Sequence, residues 1–319
     1  MGKTYEGGVP LAEVVRSGFV EGLHRGSVVV LHASGATVAG TGDVDSAIFP
    51  RSSSKPMQAI GMLRAGLPLT EPADVALVSA SHAGEGFHLE RVAALLRRAG
   101  LDESALHCPP DLPVGETARE AVLRAGGGPT RVQMNCSGKH TGMLLTCLAA
   151  GWPLDGYWRP DHPLQRRLTA AIEEFTGEEA AAVGVDGCGA PVLAVSLTGL
   201  ARAYLRLVSA EPGTVERTVA DAMRAYPELV GGTQADDTRL MRGVPGLLAK
   251  VGAEGVIAAA VPGVGAVAVK IDDGAARARM PVLVAALGRL GVDAPVLTEY
   301  AEVPLLGGGL PVGAVRAVW

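Results

Sequence analysis

The chain has 319 residues, is 48% hydrophobic and 4% aromatic, and carries a formal net charge of −5. That length buries a large core, and with no repeat, low-complexity tract or long polar linker a single domain over 1–319 is expected. Scattered charge and few aromatics leave neither a basic stripe for phosphates nor stacking platforms for bases, so nucleic acid is not an expected partner.

The start, MGKTYEGGVPLAEVV, lacks the apolar run of a signal peptide, and Glu6 breaks the lipidation pattern that Gly2 would open; a cytoplasmic location is expected. Residues 27–39 pair a β-branched run with a second strand-like run across a Ser-Gly turn, which predicts a hairpin leading to Gly42-Asp43 and the start of an antiparallel sheet. From Ser53 the apolar spacing becomes helical, with Pro56 tolerated in the first turn and Gly66 as the stop. Residues 74–81 fit helix or strand, whereas 88–100 read as an amphipathic helix with a glycine stop. Further helices are predicted over 142–150, 163–176 and 212–226, and paired strands over 255–271. The most apolar stretch, 251–271, is broken by Glu254, Pro262 and glycines, so no membrane span is expected.

Only five of the 28 basic residues are lysines, and Lys55, Lys139 and Lys270 fall in segments crowded with Ser, Cys, His and Gly. Arginine stays charged in proteins, but burial and neighbours can turn lysine into a neutral base. Arg51-Ser52-Ser53-Ser54-Lys55 contains one S-x-x-K, with Ser52 and Lys55 on one face of a helix start. A lysine with a free pKa of about 10.4 must fall to about 7–8 to activate a serine, on the order of 4 kcal/mol, supplied by burial, a second cation and the helix N-terminus. Taken alone, a serine cap followed by a solvated lysine explains the same residues.

Ser81-His82-Ala83-Gly84-Glu85 offers a hydroxyl, an imidazole and a carboxylate, or simply a helix cap. Asn135-Cys136-Ser137-Gly138-Lys139-His140-Thr141-Gly142 is polar and runs into an apolar helix, a costly arrangement unless its groups find partners. It is not a phosphate loop, because the first glycine of that motif is missing and His140 follows Lys139. Asp186 and Cys188 lie in the Gly-rich turn GVDGCGAP; Cys136 and Cys188, with Lys139 or His140, could hold zinc, although no C-x-x-C is present. Lys270 ends an apolar strand in AVKIDDG, either solvated or as the second amine that Lys55 needs. Four cysteines are too few for a disulfide framework; Cys147 reads as core and Cys108 as an unassigned loop residue. Lys3 and Lys250 lie outside every motif and are expected to tolerate arginine.

Together RSSSKPMQAIGMLRAG, SHAGE, NCSGKHTGM, GVDGCGAP and AVKIDDG, with PLAEVVRSGFVEGLHRGSVVV and GGTQADDTRLM, resemble the L-asparaginase II family of the Rhizobium etli type over nearly the whole chain. The resemblance implies a serine β-lactamase-like α/β (α+β) fold, with a largely antiparallel sheet packed with helices, a homodimer, and hydrolysis of L-asparagine to L-aspartate and ammonia. It implies two Ser-Lys pairs, Ser52 with Lys55 and Ser81 with Lys270, and zinc on Cys136, Lys139 and Cys188. It also places His140 and Asp186 at the metal and substrate site.

The expected reaction is acyl transfer. Ser52, deprotonated by Lys55, attacks the side-chain amide, ammonia leaves, and water resolves the ester, while Lys270 acts on Lys55 or through Ser81. Asp186, Arg51 and His82 are expected to meet the charged ends of the substrate, with Asn135, Lys139 and His140 beside it. Zinc is expected to orient groups rather than hydrolyse. The rival readings are a glutaminase, a β-lactamase-like or peptidase-like Ser-Lys hydrolase that lacks the K-T-G triplet, a thiol amidase using Cys136 and His140, and a metal-sensing regulator. Ser53 and Ser54 add hydroxyls that could mask the loss of Ser52.

Overall fold

In the computed structural model, which describes residues 5–319, the first antiparallel pairing begins before the 27–39 run; Gly2 and Lys3 lie outside the described residues. Val9–Arg16 (β1) turns at Ser17-Gly18 into the long strand Phe19–His32 (β2), with Gly18 at φ +81°. The C-terminal half of β2 then returns as Thr37–Thr41 (β3), which is the expected hairpin. The short strand Ala47–Ile48 (β4) leads to a 3-10 turn over Arg51–Ser54 and the helix Lys55–Arg64 (α1).

The ambiguous segment 74–81 is helical, as Pro72–Val78 (α2), with its proline in the first turn where no N–H is missed. Gly86–Arg98 (α3), Glu116–Arg124 (α4), Ser137–Ala150 (α5) and Pro163–Thr176 (α6) follow. α5 starts at Ser137 rather than at 142, because the polar NCSGKHTG segment forms its first turns. Ala182–Val185 (β5) and Pro191–Ser196 (β6) join β4 in a three-stranded sheet of order β4-β6-β5. Four helices come next: Leu197–Val208 (α7), Val215–Ala225 (α8), Pro227–Val230 (α9) and Asp236–Gly243 (α10).

The predicted strands over 255–271 belong to a meander of Leu248–Gly252 (β7), Val256–Val261 (β8) and Gly265–Ile271 (β9). Ala276–Arg289 (α11), Pro295–Tyr300 (α12), Glu302–Gly307 (β10) and Leu310–Ala317 (β11) complete the chain. The main sheet runs β10-β11-β1-β2-β9-β8-β7, entirely antiparallel, and β3 adds to β2. β8 and β9 are apolar at nearly every position because α7 and α11 both pack on them, leaving no wet face to alternate with. Each fully buried Val or Leu contributes about 1.5–3 kcal/mol, so this layer anchors the fold. The mixed fold of an antiparallel sheet packed with helices is as expected. Among the described residues no helix is long and apolar enough to cross a membrane.

Two close approaches position the chemistry. The 3-10 turn lies against β7, where Ser53 Oγ donates to the Lys250 carbonyl at 2.9 Å. α5 lies against α2, and a Cβ on Gly138 would stand 2.6 Å from the Leu77 carbonyl oxygen and one on Gly142 2.9 Å from Val78. These two glycines, one turn apart, let the polar start of α5 reach the end of α2, just before Ser81.

Candidate active site

The three serines of the RSSSK segment diverge. Ser53 Oγ donates to the Lys250 carbonyl and Ser54 Oγ to the Arg51 carbonyl, and both residues are buried, whereas Ser52 lines a cavity of about 1010 Å³. Neither neighbour is placed to substitute for Ser52. Arg51, which begins the turn, has a φ of +52°, a region a non-glycine residue rarely enters. Its Nε donates to Asp186 Oδ1 at 2.7 Å, which helps to hold that backbone in place.

Lys55 is only 1% exposed. Its Nζ donates to the Ala80 carbonyl at 2.5 Å and to Ser81 Oγ at 2.6 Å, and lies 3.1 Å from Cys136 Sγ. Ser81 Oγ donates in turn to Ser52 Oγ at 2.6 Å. The expected contact of Ser52 with Lys55 is therefore indirect: the carbonyl following α2 draws Nζ inward, and the Ser81 hydroxyl fills the gap. Burial lowers the Lys55 pKa, opposed by Cys136 and reinforced by the ammonium groups of Lys139 and Lys250. When Lys55 is neutral the donors reverse, so that a proton leaving Ser52 passes to Ser81 while the Ser81 proton passes to Nζ.

Lys270 is not at this site. Its Nζ folds back onto the Glu254 and Ile271 carbonyls, at 2.8 and 2.5 Å, and among the described residues it has no hydrogen bond to Ser81 or Lys55. The lysine that lines the cavity with Ser52 and Ser81 is Lys250, on β7. Lys250 is 1% exposed and its Nζ donates to the buried Asp237 Oδ2 at 2.8 Å. This burial argues against the expected tolerance of arginine, since a guanidinium is bulkier than the ammonium the buried pair encloses. Lys250 and Asp237 are the residues that the sequence reading missed.

Behind Lys55 lies a sealed polar cluster. Cys136 Sγ meets Lys55 and Asn135 Oδ1, and Lys139 Nζ donates to Cys188 Sγ at 3.1 Å. Cys188 is held as the thiolate, first by the Cys136 thiol and then, against its burial, by Lys139 and His140. Cys136 keeps its proton because contact with Cys188 and burial both raise its pKa. Burial pushes Lys139 down, but Cys188, Cys136 and Asp186 outweigh it and keep the amine protonated. His140 Nδ1 lies 2.7 Å from Tyr157 OH, which accepts from the His107 N–H, and its Nε2 faces Cys188; burial lowers the His140 pKa against the pull of that sulfur. Two sulfurs and an amine are donors that zinc accepts, on condition that Lys139 loses its proton. Among the described residues no three His, Cys, Asp or Glu side chains converge at metal-ligand spacing, so a metal here would need Lys139.

The expected substrate contacts divide. Asn135 lines the cavity. Arg51 and Asp186 are paired with each other, and Lys139 and His140 are buried in the thiol cluster. His82 is fully buried, stacked on His88, and donates from Nε2 to Ser137 Oγ, whose own proton goes to the Val132 carbonyl. It supports the fold beneath the site and is turned away from the cavity. Cys147 is buried in α5 and Cys108 in its loop, and burial pushes their thiols up to about 11 and about 12, which makes both inert.

No curated protein sequence matches the chain. Similar solved structures include the native form of Mglu, 15% identical at a TM-score of 0.43 over 84% of this chain, which spans 63% of that one. A β-lactamase from Mycobacterium bovis is 16% identical at a TM-score of 0.42, over 78% of this chain and 88% of that one. Simvastatin synthase from Aspergillus terreus is 12% identical at 0.42, over 92% and 93% of the two chains. The model of the family described as L-asparaginase II matches residues 12–317. With Ser52, Ser81 and Asn135 lining one cavity and nearly the whole chain matched, the protein belongs to the L-asparaginase II family.

Proposed function

We propose that the protein hydrolyses L-asparagine to L-aspartate and ammonia through an ester on Ser52. The observation that carries this reading is the unbroken hydrogen-bonded path from Ser52 Oγ through Ser81 Oγ to the buried Lys55 Nζ, opening on one cavity. Ser52 attacks the side-chain amide carbon as its proton passes along the path to Lys55. Lys55 returns a proton through Ser81 to the departing nitrogen, and water then cleaves the ester with the path acting again as base. Lys250, fixed by Asp237, supplies the second positive charge that favours neutral Lys55. Asn135 is placed to meet the substrate from the cavity wall.

In this reading Cys136, Lys139 and Cys188 would hold zinc, which when bound supplies a fixed positive charge in place of the Lys139 proton. The two thiols and the amine support it as donors, and calorimetric titration of the metal-free protein with zinc tests it: proton release on binding, lost in Cys188→Ser, is expected. A homodimer in the cytoplasm completes the proposal. Ammonia release from asparagine by wild type, Ser52→Ala and Lys55→Met tests the reaction itself. Substantial turnover by Ser52→Ala would move the nucleophile elsewhere, and a wild type that spares asparagine but cleaves glutamine would change the substrate.

A further inference from the structure

The cavity is larger than asparagine needs. Its volume of about 1010 Å³ matches sites for drug-sized ligands, which run about 300–1,000 Å³. One wall presents the apolar side chains of Val114, Ala118 and Ala121, for which a small zwitterion has no use. The lining also includes Arg279, from α11. Arg279 is 7% exposed; one of its terminal nitrogens donates to Asp236 Oδ2 at 2.8 Å, which fixes the guanidinium. Its buried Nε has no hydrogen-bond partner among the described residues. Nε is closed off from the cavity, so a ligand meets Arg279 at its terminal nitrogens, and a carboxylate is the acceptor that suits a guanidinium in charge and shape.

We propose that Arg279 adapts this cavity to side-chain amides of aspartate whose nitrogen carries an amino acid, Arg279 binding the carboxylate of that leaving group. The inference rests on Ser52 as the nucleophile. The bond from Ser52 Oγ to the acyl carbon forms, the carbon–nitrogen bond breaks, and the Ser52 proton travels through Ser81 and Lys55 to the nitrogen. The leaving group is then a free amino acid instead of ammonia, and water cleaves the aspartyl ester to aspartate and restores Ser52. An apolar side chain on the leaving amino acid lies along Val114, Ala118 and Ala121.

The test is leucine release from aspartate joined through its side chain to leucine, compared with leucinamide release from the matching amide, with asparagine assayed alongside. Wild type is expected to favour the free carboxylate by at least about tenfold in kcat/KM, the scale of one charged hydrogen bond. Arg279→Gln is expected to bring that ratio towards one, with Arg279→Lys in between, whereas a merely structural defect lowers both rates together. If Arg279→Gln does not fold, the wild-type ratio decides alone. Turnover of asparagine without leucine release, a wild-type ratio near one, or a ratio unchanged in folded Arg279→Gln overturns the proposal. A wild type inactive on every one of these amides removes the asparaginase reading as well.

Discussion

Ser81→Ala removes the link between base and nucleophile while leaving both in place. Ser81 Oγ lies 2.6 Å from Lys55 Nζ and 2.6 Å from Ser52 Oγ, and no direct hydrogen bond joins the other two among the described residues. A positioned general base contributes about 10²–10⁴ in rate, or about 2.7–5.4 kcal/mol at 1.36 kcal/mol per decade, and kcat is expected to fall within that range. Lys55 keeps the Ala80 carbonyl and Cys136, so the structural cost is the two hydrogen bonds of the Ser81 hydroxyl, about 2 kcal/mol, and a fall in Tm of only about 3 °C. The assay is steady-state ammonia release by Ser81→Ala, Lys55→Met and the double variant. Since both substitutions cut one path, the double variant is expected within about threefold of the worse single one. Retention of more than a tenth of wild-type kcat by Ser81→Ala, or losses that multiply in the double variant, would refute the relay.

Lys250→Met breaks a buried pair with Asp237, which costs about 3–5 kcal/mol, and is expected to lower Tm and remove most activity; Lys270→Met is expected to spare activity, and the opposite order would return Lys270 to the site. His82 and His88 are both held below the usual histidine pKa, chiefly by burial, so the unfolded chain takes up protons first as pH falls. Stability should then decline below about pH 6.5, by up to about 1.36 kcal/mol per pH unit for each histidine, and a Tm that stays flat in melts down to about pH 5.5 would contradict this. Gly138→Ala forces a Cβ to 2.6 Å from the Leu77 oxygen and is expected to cost about 1–3 kcal/mol and to weaken catalysis by pushing α5 from α2. Gly128→Ala, in open space, is the control, and equal melts for the two would show that the helix contact is not tight.

The local pattern pointed to several of the residues that gather around Ser52 but not to how they are joined. RSSSK, SHAGE and NCSGKHTG carry residues that do converge, because each sits at the end of an element whose apolar spacing could be read. That Lys55 meets Ser81 rather than Ser52 depends on how α5 and α8, which pack on both α1 and α2, set the end of α2 beside the start of α1, which is tertiary. The exchange of Lys270 for Lys250 has a definite cause. Both lysines sit on one face of one meander, and what separates them is that β7, not β9, packs against the 3-10 turn that carries Ser52. The scarcity of lysine was itself a signal for Lys250, beside the adjacent acidic pair in TQADDTRL. α5 begins five residues before the predicted 142 because a polar stretch reads as loop, whereas its glycines serve close helix packing. Arg51 and Asp186 are paired with each other and His82 with Ser137, because a polar motif residue is as readily engaged by a neighbour as left for a ligand.

In the proposed reaction Ser52 carries the acyl group. Acid-quenched reactions of wild-type protein with asparagine, digested and mapped by mass spectrometry, test it most directly. The aspartyl ester is expected on the peptide containing Ser52, and absent from Ser52→Ala. An adduct on Ser81 or Cys136, or one that persists in Ser52→Ala, would contradict it.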